Sequence, residues 1–197
     1  NVTQITADKI QSGQLCQEEQ TQFNTRLEEI YEAPIYMDDT PNLSVSELRT
    51  KALHLVSEHK VEYIIIDYLQ LMNAHENNVH SREQEVGIIV RTLKELAKEL
   101  DIPIIALSQL KRDTEKRSGL ERKCPQLSDL RESKEIEKNA DIICFIYRPE
   151  YYSIYADEVG NDLKGLAEII VAKNNHGSTG TAQLRFNSEY ASFSNMD

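Results

Sequence analysis

The chain has 197 residues, 40% of them hydrophobic and 28% charged, with a formal net charge of −11 at pH 7. That suffices for one domain with a sizeable core, and no run approaches the roughly 20 apolar residues of a membrane span. The acidic balance argues against a broad nucleic-acid-binding face and leaves room only for a confined one. Residues 111–123 supply such a local exception, with six Lys or Arg against three acids. The chain opens on Asn1 and shows no signal-peptide pattern, so the expectation is a cytoplasmic piece of a longer protein. Cys16, Cys124 and Cys144 are far apart and none sits in a CxxC pair, so neither zinc nor a disulfide framework is expected. Cys144 lies in an apolar run and reads as a small core residue.

Along the chain, helical and strand periods alternate. Residues 18–31 are polar and helix-permissive, and Pro34-Ile35-Tyr36-Met37 reads as a short strand ended by Asp38-Asp39-Thr40-Pro41. Ser44 and Glu47 have capping-box spacing for a helix with Val45, Leu48, Ala52 and Leu55 on one face. Residues 62–67 form a short apolar run ending in a carboxylate, which suits a strand covered on both faces. After a loop with His75, Asn77, Asn78 and His80, Ser81 and Gln84 repeat the capping spacing. Val86, Ile89, Val90, Leu93, Leu96 and Leu100 then recur at helical period. A strand over 102–107 runs into Ser108-Gln109, and the basic loop follows. Residues 127–139 read as a loop and short helix; 141–147, 167–172 and 181–186 read as strands, with a turn at 174–180 between the last two. The fold class expected is α/β: a mostly parallel sheet with helices on both faces and an antiparallel edge hairpin near the C-terminus.

Several residues carry candidate chemistry. Asp67 ends an apolar strand, where ligands of open α/β sheets gather, and a carboxylate there can hold Mg²⁺ through water. A capping or solvated aspartate has the same local signature. Gln109 can sense a γ-phosphate or orient water, or be a plain polar strand end. Arg131, in Asp129-Leu130-Arg131-Glu132-Ser133, can pair with a backbone phosphate or with a neighbouring carboxylate. Lys173 ends a strand beside the turn with Gly177 and Gly180 and can reach a phosphate or make a structural pair. His54, His59, His75, His80 and His176 show no metal-ligand spacing and read as surface residues.

Taken in order, Ala-Pro-Ile-Tyr-Met-Asp-Asp-Thr-Pro (33–41), Ile-Ile-Asp-Tyr-Leu-Gln-Leu-Met (65–72), Ile-Ala-Leu-Ser-Gln-Leu (105–110) and Leu-Ser-Asp-Leu-Arg-Glu-Ser (127–133) resemble the DnaB-type hexameric helicase motor. Ile136-Glu137, Ala140-Asp141, Tyr147-Arg148 and Glu150-Tyr151-Tyr152 continue the likeness over nearly the whole chain. The 67–72 and 128–133 segments separate this family from recombinase, clock-protein and repair ATPases with the same core. The resemblance implies a RecA-like fold, ATP and Mg²⁺ as cofactors, single-stranded DNA as substrate and a ring of six, with a primase and a helicase loader as partners. It implies that Asp67 is the Walker B aspartate, that Gln109 senses the γ-phosphate and relays to the DNA loops, and that Arg131 and Glu132 touch the DNA backbone. It matches Lys173 to the lysine of a Lys-x-Arg element reaching the neighbouring subunit's ATP.

The sequence departs from that pattern in places. The phosphate loop, GxxxxGK followed by Ser or Thr, is absent from the 197 residues; the expectation is a partial domain, 1–197, beginning after it. Asn175 stands where the family has its arginine finger, Lys134 where a glycine is usual, and Cys124 where a basic residue is usual. Lys134 adds a phosphate-pairing charge and loses backbone freedom. Two readings follow: a helicase motor, or a degenerate relative that binds DNA or assembles in a ring without turnover. Without the loop's amides and lysine the triphosphate has no cradle. The isolated 197-residue chain is therefore expected to show no DNA-stimulated ATP hydrolysis in a phosphate-release assay, and clear turnover would refute this.

Overall fold

The structure is a computed structural model and describes residues 3–74, 81–112, 117, 123–130 and 133–196. Its centre is helix α4 (Arg82–Leu100). The Ser81 hydroxyl accepts from the Gln84 N–H at 3.2 Å, satisfying one of the donors a helix start leaves open. Val86, Ile89, Val90, Leu93 and Leu96 are buried and form the apolar stripe that their spacing predicts. Helix α3 (Val45–His59) begins with a complete capping box, Glu47 N–H to Ser44 Oγ and Ser44 N–H to Glu47 Oε2. A two-point Arg49–Glu99 pair, at 2.9 and 2.6 Å, joins α3 to α4. Helices α1 (Ala7–Ser12) and α2 (Gln17–Glu32) precede them, and α5 (Ser133–Asn139) follows.

Strands β1 (Ile64–Ile66) and β2 (Ile104–Ala106) pair in parallel, Ile65 opposite Ile105. Strands β3 (Ile142–Tyr147), β4 (Leu166–Asn174), β5 (Gly180–Asn187) and β6 (Ser192–Asn195) form a second, antiparallel sheet in that order. One core serves both sheets. Val45, Leu69, Met72, the α4 stripe, Leu130, Ile136, Ile143 and Phe145 cluster together, and Ile66 and Ile104 pack against them.

The α/β class stands, and the expected edge hairpin is the middle of a four-stranded antiparallel sheet that also contains β3 and β6. Ile65, Ile105, Ile142 and Ile146 are 58, 51, 57 and 60% exposed, because alternate strand residues point away from the core and no described helix covers them. Cys144 shares that outward side of β3 and is exposed, so its reading as a core residue is corrected. Residues 34–37 are not a strand. They have no ladder partner among the described residues, and Met37 is 93% exposed. His75, Asn77, Asn78 and His80 lie outside the described residues. Among the described residues no helix is long and apolar enough to cross a membrane.

Candidate functional site

The carboxyl ends of β1 and β2 are joined beyond the strands themselves. Leu107 N–H donates to Ile66 O at 2.9 Å and Leu69 N–H donates to Leu107 O at 2.9 Å. This brings Asp67 beside Ser108-Gln109, on the side of a parallel pair where α/β sheets bind ligands. Asp67 is exposed, and no described residue donates to its carboxylate. A free carboxylate at a strand end fits a cation ligand. Gln109 is also exposed. The Gln70 side chain spans the two ends: its Nε2 donates to Ser108 Oγ at 3.0 Å and its Oε1 accepts from Gln109 N–H at 3.3 Å.

From Gln109 the contacts continue to the segment before Arg131. Leu110 forms an antiparallel bridge with Leu130. Lys111 N–H donates to Asp129 O at 2.8 Å, and Lys111 Nζ donates to Ser128 O at 2.8 Å. Asp129 is only 2% exposed. Its Oδ2 accepts from Gln126 N–H and from Arg117 Nη1, each at 2.9 Å, and Arg117 also bonds Oδ1. Arg131 and Glu132 lie outside the described residues; Lys134 is exposed in the first turn of α5.

A second cluster gathers where α5 passes into β3. Lys173 Nζ donates to Glu137 O at 2.6 Å and to Ala140 O at 2.7 Å, closing the C-terminal carbonyls of α5 with a cation. Asn175 N–H donates to Asp141 O at 2.9 Å, and its side-chain amide lies 3.4 Å from Asp141 Oδ1. Lys94 of α4 pairs with Asp141. The Lys94 hydrogen bond holds the Asp141 carboxyl below its ordinary value, against partial burial, with the Lys94 charge, the Asn175 amide and the His176 charge adding to it. Lys173 and Asn175 thus sit together, but at the α5–β3 corner, while Asp67 and Gln109 sit together at the parallel strand ends.

A parallel strand pair with Asp67 and Gln109 at its carboxyl ends, backed by α4 and packed through one apolar core with an antiparallel sheet, forms a RecA-like α/β core. Residues 1–195 match the DnaB-like helicase C terminal domain, and the chain belongs to that family. It is 42% identical over 193 residues to the replicative DNA helicase DnaB of Geobacillus stearothermophilus, covering 98% of this chain and 41% of that protein. The replicative DNA helicase DnaC of Bacillus subtilis (strain 168) is also 42% identical, with the same two coverages. A solved DnaB-like replicative helicase, described with its interactions with primase, superposes at a TM-score of 0.85. It is 36% identical, and the match covers 100% of this chain and 46% of that one. The chain therefore spans about two-fifths of the length of these curated relatives.

Gln70, Asp129 and Lys94 were not singled out from sequence, although each ties a candidate residue to its surroundings. Their only sequence signal is a place inside a motif or on a helix. Replacing Asp129 with Ala removes bonds to a charged acceptor and is expected to cost about 2 kcal/mol in urea unfolding; a loss below about 0.5 kcal/mol would refute the anchoring role. Because the folded Asp141 pKa is depressed, its pairing contributes stability above the ordinary carboxylate value of about 4 and loses it as pH falls below. Lys94→Met should therefore cost about 0.5 kcal/mol at neutral pH, the pair being partly exposed. That difference should vanish in acid, as paired urea titrations at neutral and acid pH would show.

Proposed function

We propose that this chain is part of an ATP-driven replicative DNA helicase motor that works as a ring of six and moves along single-stranded DNA. One observation carries the reading: Asp67 and Gln109 follow the ends of the two paired parallel strands, and directly after Gln109 the Leu110–Leu130 bridge and the Lys111–Asp129 hydrogen bond tie the chain to the segment before Arg131. The family membership supports the same reading. On it, the 197 residues are the part of the motor domain that follows the phosphate loop. Asp67 would hold Mg²⁺ through water, and Mg²⁺ bound with ATP supplies neutralisation of the charge developing on the phosphates. Gln109 would respond to the γ-phosphate. Arg131, Glu132 and Lys134 would grip the DNA backbone, a contact that needs phosphate charge and no base reading. Lys173 and Asn175 would face the nucleotide of a neighbouring subunit. Primase and a helicase loader are the partners this reading implies, and action in the cytoplasm goes with it.

One observation favours the second reading, a DNA-binding or ring-assembly module without turnover. Asn175 is neutral at the finger position and is held by Asp141, and an arginine finger contributes about 10³–10⁵ in rate. The deciding measurement is ATPase activity of the full-length protein with and without single-stranded DNA. The motor reading expects DNA-stimulated turnover that Asp67→Asn reduces by about 100-fold or more, and a further gain of about tenfold or more on Asn175→Arg. Nucleotide binding with no turnover would establish the second reading instead.

A further inference from the structure

We propose that Gln70 is a positioning residue: its side-chain amide sets the Ser108-Gln109 segment against the Asp67 strand end and thereby couples the nucleotide side to the 127–130 segment. The coupling half of this proposal rests on the motor reading; the positioning half does not. The parallel ladder and its extension end at Leu107. The next backbone tie of that segment is the Leu110–Leu130 bridge. Between them Ser108 and Gln109 leave the sheet, and the Gln70 amide takes hold of both. It donates to the Ser108 hydroxyl at 3.0 Å and accepts from the Gln109 N–H at 3.3 Å. Two bonds from one planar amide to consecutive residues fix both the distance and the rotation of the intervening peptide.

Gln70 is itself firmly held. It sits in the short 3₁₀ turn Leu69–Leu71, between buried Leu69 and buried Met72. Arg82, at the first position of α4, donates to Gln70 O at 3.0 Å and to Met72 O at 3.1 Å. Arg82 also bonds Glu85 at 2.5 Å, and Glu85 accepts from Ala74 N–H at 3.2 Å. The turn after Asp67 is therefore fastened to the central helix, and the Gln70 amide is the arm that reaches from it to Gln109. A carboxylate at position 70 could accept from both the Gln109 N–H and the Ser108 hydroxyl, whereas leucine fills the space and offers neither bond.

The test uses the full-length protein and two variants, Gln70→Leu and Gln70→Glu. Hydrogen–deuterium exchange of the peptide containing Gln109 should speed up about fivefold in Gln70→Leu, as expected for one lost hydrogen bond, and return toward wild type in Gln70→Glu. Under the motor reading, Gln70→Leu should also lower the ratio of DNA-stimulated to basal ATPase by about fivefold while KM for ATP stays within about twofold. A role confined to holding the turn would lower the melting temperature and leave that ratio unchanged. Unchanged Gln109 exchange in Gln70→Leu, or no recovery in Gln70→Glu, overturns the positioning role. A wild type with turnover but an unchanged ratio in Gln70→Leu overturns the coupling. A wild type with no turnover counts against the motor reading, and the exchange measurement then decides the positioning role by itself.

Discussion

Val86, Ile89, Val90 and Leu93 turn one side of α4 into a cluster with Val45 of α3, Leu69 and Met72 beyond β1, Leu130, Ile136 of α5, and Ile143 and Phe145 of β3. Every part of the candidate site depends on this burial. Fully burying one such side chain contributes about 1.5–3 kcal/mol, so the stripe outweighs the exposed ion pairs around it, which are worth about 0–1 kcal/mol each. Among the described residues no strand ladder joins the two sheets. What fixes the parallel strand ends relative to the α5–β3 corner is this shared apolar packing, tightened where α5 approaches α4. At Gly87 a Cβ would meet Glu135 Cγ at 2.9 Å, so the absence of a side chain allows the close approach.

The sequence made α4 readable because two local signals agree there: a cap at Ser81 and a helical apolar period. It made the strands readable by type but not by which side faces the core. An uninterrupted run such as Ile142–Tyr147 does not reveal which alternate residues face the core, so Cys144 was placed on the wrong side. Residues 34–37 have strand composition, but a strand needs a ladder partner, and composition cannot supply one. The candidate residues themselves were legible through the order of short motifs. The groups that hold them were not, because their partners are distant in sequence: Gln70 reaches 38 and 39 residues, Lys94 reaches 47 and Lys173 reaches 33 and 36.

The chain's charge is arranged in the same economical way. A body with net charge −11 repels nucleic acid on close approach, and salt screens that repulsion beyond roughly 10 Å. Several of its cations are already occupied within the fold: Arg49 with Glu99, Arg117 with Asp129, Lys94 with Asp141. On the motor reading, DNA contact is then local and uses cations beyond these pairs. The exposed Lys134, one residue after Ser133, fits that requirement.

Helix α5 is where the two candidate clusters meet. At seven residues it is too short to be stable alone in water, so its position is whatever its neighbours impose. Ile136 anchors its middle in the core. Its N-terminal side follows the Asp129 anchor, which is tied through Lys111 and Leu110 to Gln109. Its C-terminal carbonyls are closed by Lys173. An ammonium has three donors, and two are committed here. On the motor reading, Lys173 cannot give its full hydrogen-bonding capacity to a neighbouring subunit's phosphate and keep both α5 carbonyls. On that reading engagement across the subunit boundary and the hold on α5 compete for one cation, and the chain's own nucleotide, through Gln109, and the neighbour's, through Lys173, would act on opposite ends of the same helix.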